Sequence, residues 1–253
     1  MADWANYPMN AEVFWPKDEK IIGVLGLGPV ATADFYARLV SRRLEKDWQH
    51  PRVLIDGNTK IPSRGRHLAL GEADPVPYIV EGIAELRARG ADFVVIPCNT
   101  AHVFYDHFAR NASVPVPNII DVTTLSAVQR AVQHPIVLCN DPTRDYRLYE
   151  IAFAQYHIEA VQFPDQTLIM QGIEAVKQNL KLDSIVASIH EMMDAIPNID
   201  SIILGCTEIS VLMNHGLPDN YAKKIIDSNQ ELAVFCLDFA FGKPADPRIR
   251  MSA

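Results

Sequence analysis

Short apolar runs alternate with amphipathic stretches along most of the chain. Ile21-Ile22-Gly23-Val24-Leu25 leads into Gly26-Leu27-Gly28-Pro29 and then a helical pattern over 31–44, with Phe35, Leu39 and Val40 apolar against Arg38 and Arg42. A strand, a glycine turn and a helix in that order open an α/β unit. Val53-Leu54-Ile55 predicts a second strand, and 75–89 predicts a helix with Ile79, Ile83 and Leu86 on one face and Gly90 as its stop. Phe93-Val94-Val95-Ile96 is continuously apolar, as in a strand covered on both faces of a parallel sheet. It ends at Pro97-Cys98-Asn99-Thr100, and helix-compatible residues follow over 101–110.

The same order then recurs. Ile136-Val137-Leu138 predicts a strand, 140–143 a turn, and 145–155, 173–180 and 182–196 helices. Ser201-Ile202-Ile203-Leu204 predicts another buried strand, ending at Gly205-Cys206-Thr207-Glu208. Each cysteine is followed at a similar interval by Ile-Ile-Asp, at 119–121 and 225–227, and each of these leads toward a helix, beginning near Thr124 and Ser228. The repeat predicts an α/β fold of two similar halves, each large enough to hold its own core. The first domain takes 21–120 with 228–253, whose helix packs back on it, and the second takes 121–227. Residues 1–20, with Trp4 and Trp15, form an N-terminal extension.

The composition narrows the function classes. Of 253 residues, 49% are hydrophobic and 21% charged, as in a globular protein, which argues against a disordered chain. A net charge of −8 without a Lys/Arg block speaks against nucleic acid as partner. No apolar run reaches bilayer length, and the N-terminus lacks a signal-peptide pattern, so the expected compartment is the cytoplasm, with no membrane partner. The four cysteines, Cys98, Cys139, Cys206 and Cys236, are too sparse for a disulfide framework and include no CxxC, so no metal site is expected.

Cys98 and Cys206 stand apart because both sit at the carboxyl ends of strands, where ligands bind in open parallel sheets. Facing halves would place the two thiols on opposite walls of one cleft. A helix start after each cysteine would favour the thiolate and offer N–H groups to an anion. Inverting a carbon that bears a hydrogen needs a base on one face and an acid on the other, and two like groups can exchange those roles. The pattern therefore points to two-base racemisation without a cofactor. Cys139 and Cys236 read as ordinary buried thiols.

These motifs resemble those of the cofactor-independent aspartate/glutamate racemases, most closely the aspartate racemases. Gly26-Leu27-Gly28-Pro29-Val30-Ala31-Thr32 is similar to the opening G-x-G-P-x-A-T loop, and Ile61-Pro62-Ser63-Arg64 to an I-P-D-R stretch. Pro97-Cys98-Asn99-Thr100-Ala101-His102 and Leu204-Gly205-Cys206-Thr207-Glu208 match P-C-N-T-A-H and L-G-C-T-E outright. The chain departs from the pattern at Ser63 and Gly65, where Asp and Thr are usual, and at 139–143, which lacks a glycine-threonine run. The resemblance implies two Rossmann-like domains related by a pseudo-twofold, with the active site in the cleft between them, and a homodimer. It implies Cys98 and Cys206 as catalytic acid/bases, and Asn99, Thr100 and Thr207 as the holders of an amino-acid α-carboxylate. Arg64 and Lys177 would face the distal carboxylate of aspartate or glutamate; a guanidinium fork suits that task. Other readings of the same cleft are a maleate isomerase, a hydantoin racemase, or a non-catalytic dicarboxylate-binding or thiol redox protein.

Overall fold

In the computed structural model of the chain, residues 19–42, 44, 46–214 and 225–252 are described. The N-terminal extension, with Trp4 and Trp15, lies outside them except for Glu19 and Lys20. Two parallel sheets form the framework. In the first, β1 (Ile22–Gly26) is central, with β2 (Val53–Gly57) on one side and β3 (Phe93–Val95) on the other. In the second, β4 (Pro135–Leu138) lies between β5 (Val161–Gln162) and β6 (Ser201–Leu204), and β7 (Ile225–Asp227) follows β6. Each strand that leads to a cysteine, β3 or β6, thus lies directly beside the strand that opens its half. Every residue of β1, β3 and β6 is buried, which accounts for their unbroken apolar sequence.

The helices follow from local signals. Pro29 begins α1 (Pro29–Val40), which buries Ala31, Phe35 and Leu39 along one face. It ends at Val40, short of the predicted Leu44. α2 (Arg64–Leu70), capped by Ser63, has no counterpart in the sequence reading. α3 (Val76–Ala88) buries Ile79, Ile83 and Leu86, and Gly90 follows it at φ +100. Then come a 3-10 helix (Asn99–Phe104), α4 (Tyr105–Ala109), α5 (Ile119–Gln129), α6 (Asp141–Asp145), α7 (Leu148–Ala154), α8 (Gln166–Lys177), α9 (Asp183–Asp194), α10 (Thr207–Met213) and α11 (Ser228–Ala240).

The repeat differs from its expected form at Ile-Ile-Asp. In the second half these residues are strand β7, and Asp227 caps α11 by accepting from the Asn229 N–H. In the first half Ile119-Ile120-Asp121 is already the first turn of α5, capped by Asn118 through the Ile120 N–H. Asn118 is thus the counterpart of Asp227. The backbone that meets β3 on this side is the segment before Asn118, where Val94 N–H donates to Pro115 C=O at 2.9 Å.

Three apolar clusters hold this arrangement. One lies within the first half around Leu25, Ile79, Val94 and Phe108, and one within the second around Ile136, Ile173, Ile202 and Leu212. The third joins them, with Ile22, Phe35 and Phe93 packed in one cluster with Tyr149, Phe153, Ile203 and Leu232. Helix α11 packs against α1 and α5, so the end of the chain returns to the first half. The result is an α/β fold of two domains with a cleft at the carboxyl ends of both sheets.

Candidate active site

Beyond β3, Cys98 N–H turns back to Ile96 C=O at 2.7 Å around Pro97, and Cys98, in extended conformation, begins the 3-10 helix. Beyond β6, Cys206 is the extended residue that begins α10. Both thiols line one cavity of about 480 Å³. Arg64, Asn99, Thr100, Lys177 and Thr207 line the same cavity, so all seven residues singled out in the sequence come together.

The Cys98 side is held from both halves. The Asn99 amide is engaged at both ends: its Oδ1 accepts from the buried Tyr149 hydroxyl at 2.6 Å, and its Nδ2 donates to Ser228 Oγ at 3.0 Å. Its backbone N–H therefore remains the group able to meet an anion, being one of the unpaired donors at a helix start. Thr100 Oγ1 accepts from Asn140 Nδ2 at 2.7 Å and lies 3.4 Å from Thr143 Oγ1. Asn140 also caps α6, and it lines the cavity; its role was not apparent in the sequence, where 140–143 read simply as a turn. His102 Nδ1 is 2.9 Å from the Cys98 carbonyl, which can only accept, so the neutral imidazole carries its proton on Nδ1. Burial holds the His102 pKa down at about 4.

Cys206 differs electrostatically. Its thiol is buried and donates to Glu208 Oε2 at 3.3 Å; Thr207 Oγ1 donates to the same oxygen at 3.3 Å. Burial, and then the Glu208 carboxylate, push the Cys206 thiol well above the usual range. The N–H groups of Glu208 and Ile209 at the start of α10 pull the other way and are outweighed. The start of α10 thus favours the thiolate as expected, but burial and Glu208 prevail over it at Cys206. At Cys98 the helix that follows is 3-10, not α. Gly28 brings the first half's turn against this group, since a Cβ there would lie 3.3 Å from Glu208 Oε1. Gly26 leaves room for Thr32 in the same way, so these glycines serve packing between elements and do not line the cavity.

At the far side of the cavity, Arg64 opens α2. Its NH1 donates to the Pro62 carbonyl at 3.3 Å, while its buried Nε has no partner. Among the described residues no carboxylate pairs with Arg64. Its neighbour Arg66 is bound to Glu72, and Arg144 to Asp141 and Asp145. Lys177, at the end of α8, is half exposed and lies 4.0 Å from Glu174 Oε2. Leu68, Tyr146, Met170 and Ile173 add an apolar wall. Cys139 and Cys236 are buried away from the cavity, and burial raises both thiols, Cys139 to about 12. Among the described residues no helix is long and apolar enough to cross a membrane.

Known proteins share this fold. The family model described as Asp/Glu/hydantoin racemase matches residues 24–236. The broad specificity amino-acid racemase RacX of Bacillus subtilis is 26% identical over 203 residues, covering 77% of this chain and 88% of that one. The structure of Picrophilus torridus aspartate racemase superposes with a TM-score of 0.75 at 29% identity, covering 87% of this chain and 94% of that one. Glutamate racemase from Campylobacter jejuni shares the fold at a TM-score of 0.62 and 19% identity, covering 85% and 84%. The chain therefore belongs to the Asp/Glu/hydantoin racemase family, and as an enzyme it is an isomerase of the amino-acid racemase class.

Proposed function

We propose that the protein interconverts L- and D-aspartate, with glutamate as the alternative substrate, by a two-base mechanism that uses Cys98 and Cys206 and no pyridoxal phosphate. The carrying observation is that two thiols at equivalent strand ends line one cavity with a half-buried arginine, Arg64, whose buried Nε has no partner and which no carboxylate pairs with among the described residues. In this reading the backbone N–H groups at the starts of the 3-10 helix and α10, with Thr100 and Thr207, hold the α-carboxylate and stabilise enolate-like charge. Arg64, aided by Lys177, takes the distal carboxylate.

Cys206, a thiol beside Glu208, supplies a proton on one face, and Cys98 as thiolate removes the α-hydrogen on the other. An inversion in this direction leaves the abstracted proton on Cys98 and a thiolate at Cys206; proton exchange with solvent then restores the starting pair, because a thiolate next to the Glu208 carboxylate is disfavoured. The resemblance carries the further expectation of a homodimer, and the four free thiols suit a reducing cytoplasm.

A broader amino-acid specificity is the second reading. It is supported by a cavity of about 480 Å³ lined by Asp141 and Asp145 as well as by cations, and by the name of the Bacillus subtilis relative. Incubation of the purified protein with each enantiomer of aspartate, glutamate and a basic and an apolar amino acid, without added pyridoxal phosphate, tests both by chiral chromatography. Inversion of aspartate alone supports the first reading, and inversion across the panel supports the second. If none is inverted, both fail.

A further inference from the structure

We infer that Tyr149 is a positioning residue that fixes the separation of the two thiol-bearing strand ends, an inference that rests on the two-base reading of the cavity. Tyr149 belongs to α7 of the second half, is 1% exposed and does not line the cavity, so it touches no reacting atom. Its hydroxyl donates to Asn99 Oδ1 at 2.6 Å, next in sequence to Cys98. Its ring lies on Gly205, next in sequence to Cys206: a Cβ at Gly205 would stand 2.6 Å from Tyr149 Cε2 and 3.2 Å from Cδ2.

One side chain thus meets the neighbour of each thiol. A second path runs parallel to it. Asn99 Nδ2 donates to Ser228 Oγ at 3.0 Å, and Ser228 Oγ donates to the Leu204 carbonyl at 2.8 Å, the last residue of β6. Asn99 is held by Tyr149 at one amide end and tied to β6 through Ser228 at the other. Burial pushes the Tyr149 hydroxyl above its ordinary range, so it stays a donor throughout the working pH range. A core tyrosine needs only one acceptor for its hydroxyl. Here the acceptor is a side chain that is also linked, through Ser228, to the opposite strand end. Two-base inversion depends on both thiols meeting one carbon, so a shift of either strand end separates proton removal from proton delivery.

Tyr149→Phe keeps the ring and removes only the hydroxyl. The expected result is a kcat about tenfold lower with KM nearly unchanged, short of the roughly hundredfold that a misplacement of about 1 Å can cost. In deuterated water the variant should also leave more deuterium in the recovered starting enantiomer relative to the inverted product. The carbanion formed at one thiol would then persist longer, so that thiol more often exchanges its proton with solvent and returns deuterium to the same face. A residue that merely fills the core would lower stability without moving that ratio. Ser228→Ala, which cuts the parallel path, should move it in the same direction and serves if Tyr149→Phe does not fold. The rates of iodoacetamide alkylation at Cys98 and Cys206, mapped by peptide mass, give a readout that needs no racemase activity. They should change in both variants while Cys236 stays constant. Unchanged kcat, deuterium ratio and alkylation rates in a folded variant overturn the inference. Absence of inversion by the wild-type protein overturns the two-base reading instead, and the alkylation rates then decide the bridge on their own.

Discussion

The Cys206 thiol donates to the Glu208 carboxylate at 3.3 Å, whereas among the described residues no carboxylate bonds the Cys98 thiol, and its nearest titratable neighbour in sequence, His102, contacts its backbone carbonyl. The two halves repeat in fold but not in charge. Glu208→Gln removes the negative charge and keeps a group that can accept from the thiol. Cys206 is then expected to ionise at lower pH, and its alkylation by iodoacetamide at neutral pH to accelerate, because the like charge that opposed the thiolate is gone. The enantiomers have equal free energy, so kcat/KM must fall equally in both directions. An alkylation profile unmoved along the pH axis would show that burial alone sets the Cys206 thiol.

Cys98→Ser and Cys206→Ser should each abolish inversion while preserving the fold, since the hydroxyl replaces the sulfur with little change of volume at a site already polar on one side. The two single variants need not be alike in exchange. Cys206→Ser retains Cys98 and is expected to wash out the α-hydrogen of one enantiomer only, read by proton NMR in deuterated water. Normal inversion by either variant would refute two-base chemistry.

Arg64→Ala is expected to reduce kcat/KM for aspartate by about ten- to a hundredfold, the loss of a charge-assisted contact of roughly 1.5–3 kcal/mol. The variant should lose little thermal stability, because the guanidinium makes a single bond to its own segment, to Pro62 C=O. Arg64→Lys should recover only part of the activity, a point charge being a poor substitute for a fork. Equal activity of Arg64→Ala and wild type would place the distal carboxylate elsewhere, with Lys177 as the remaining cation.

Strand ends and thiols were legible in the sequence because each depends on a local contrast. An apolar run that ends in Pro-Cys or Gly-Cys gives both the strand and its exit. The relation between the halves was less legible. Ile-Ile-Asp occurs twice at similar spacing, yet Asn118 caps α5 three residues before Asp121, which sequence composition does not distinguish from a strand. The Cys206 thiol was expected to be acidified by a helix start, but its desolvation depends on burial by chain far from it in sequence. Tyr149 lies in a segment recognised as helical, whereas its contact with Asn99, 50 positions away, exists only in the packed form. The grouping of Arg64 and Lys177 with the thiols came from family resemblance, not from any pattern within the chain.

His102 makes stability depend on pH. Its folded pKa of about 4 lies below the ordinary value of 6.5, so the unfolded chain binds a proton between these values that the folded chain does not. Stability is fully present above about pH 6.5 and is lost as pH falls toward 4, by about 3 kcal/mol at most from this group. Urea unfolding at pH 7 and pH 5 measures the slope, and His102→Gln should flatten it by close to one proton. A slope unchanged in that variant would assign the acid sensitivity to other groups.

Arg38 offers the sharpest test of what joins the domains. From α1 it meets Asp34 at 2.6 Å and, across the interface, Asp227 at 2.9 Å, with the side chains only 9–17% exposed. Asp227 in turn caps α11 and accepts from Ser210 Oγ at 2.6 Å, on the helix that Cys206 begins. Arg38→Ala leaves the buried Asp227 carboxylate and the part-buried Asp34 carboxylate without their cation, and breaking a buried pair in this way costs about 3–5 kcal/mol. Arg38→Met, which keeps the stem but not the charge, should cost nearly as much if charge is the cause, and much less if packing is. Because Asp227 and Ser210 lead to α10, either variant should also alter alkylation of Cys206 more than that of Cys98. A loss below about 1 kcal/mol would class the pair with solvated surface bridges and leave the shared apolar cluster around Phe35 and Leu232 as the main bond between the halves.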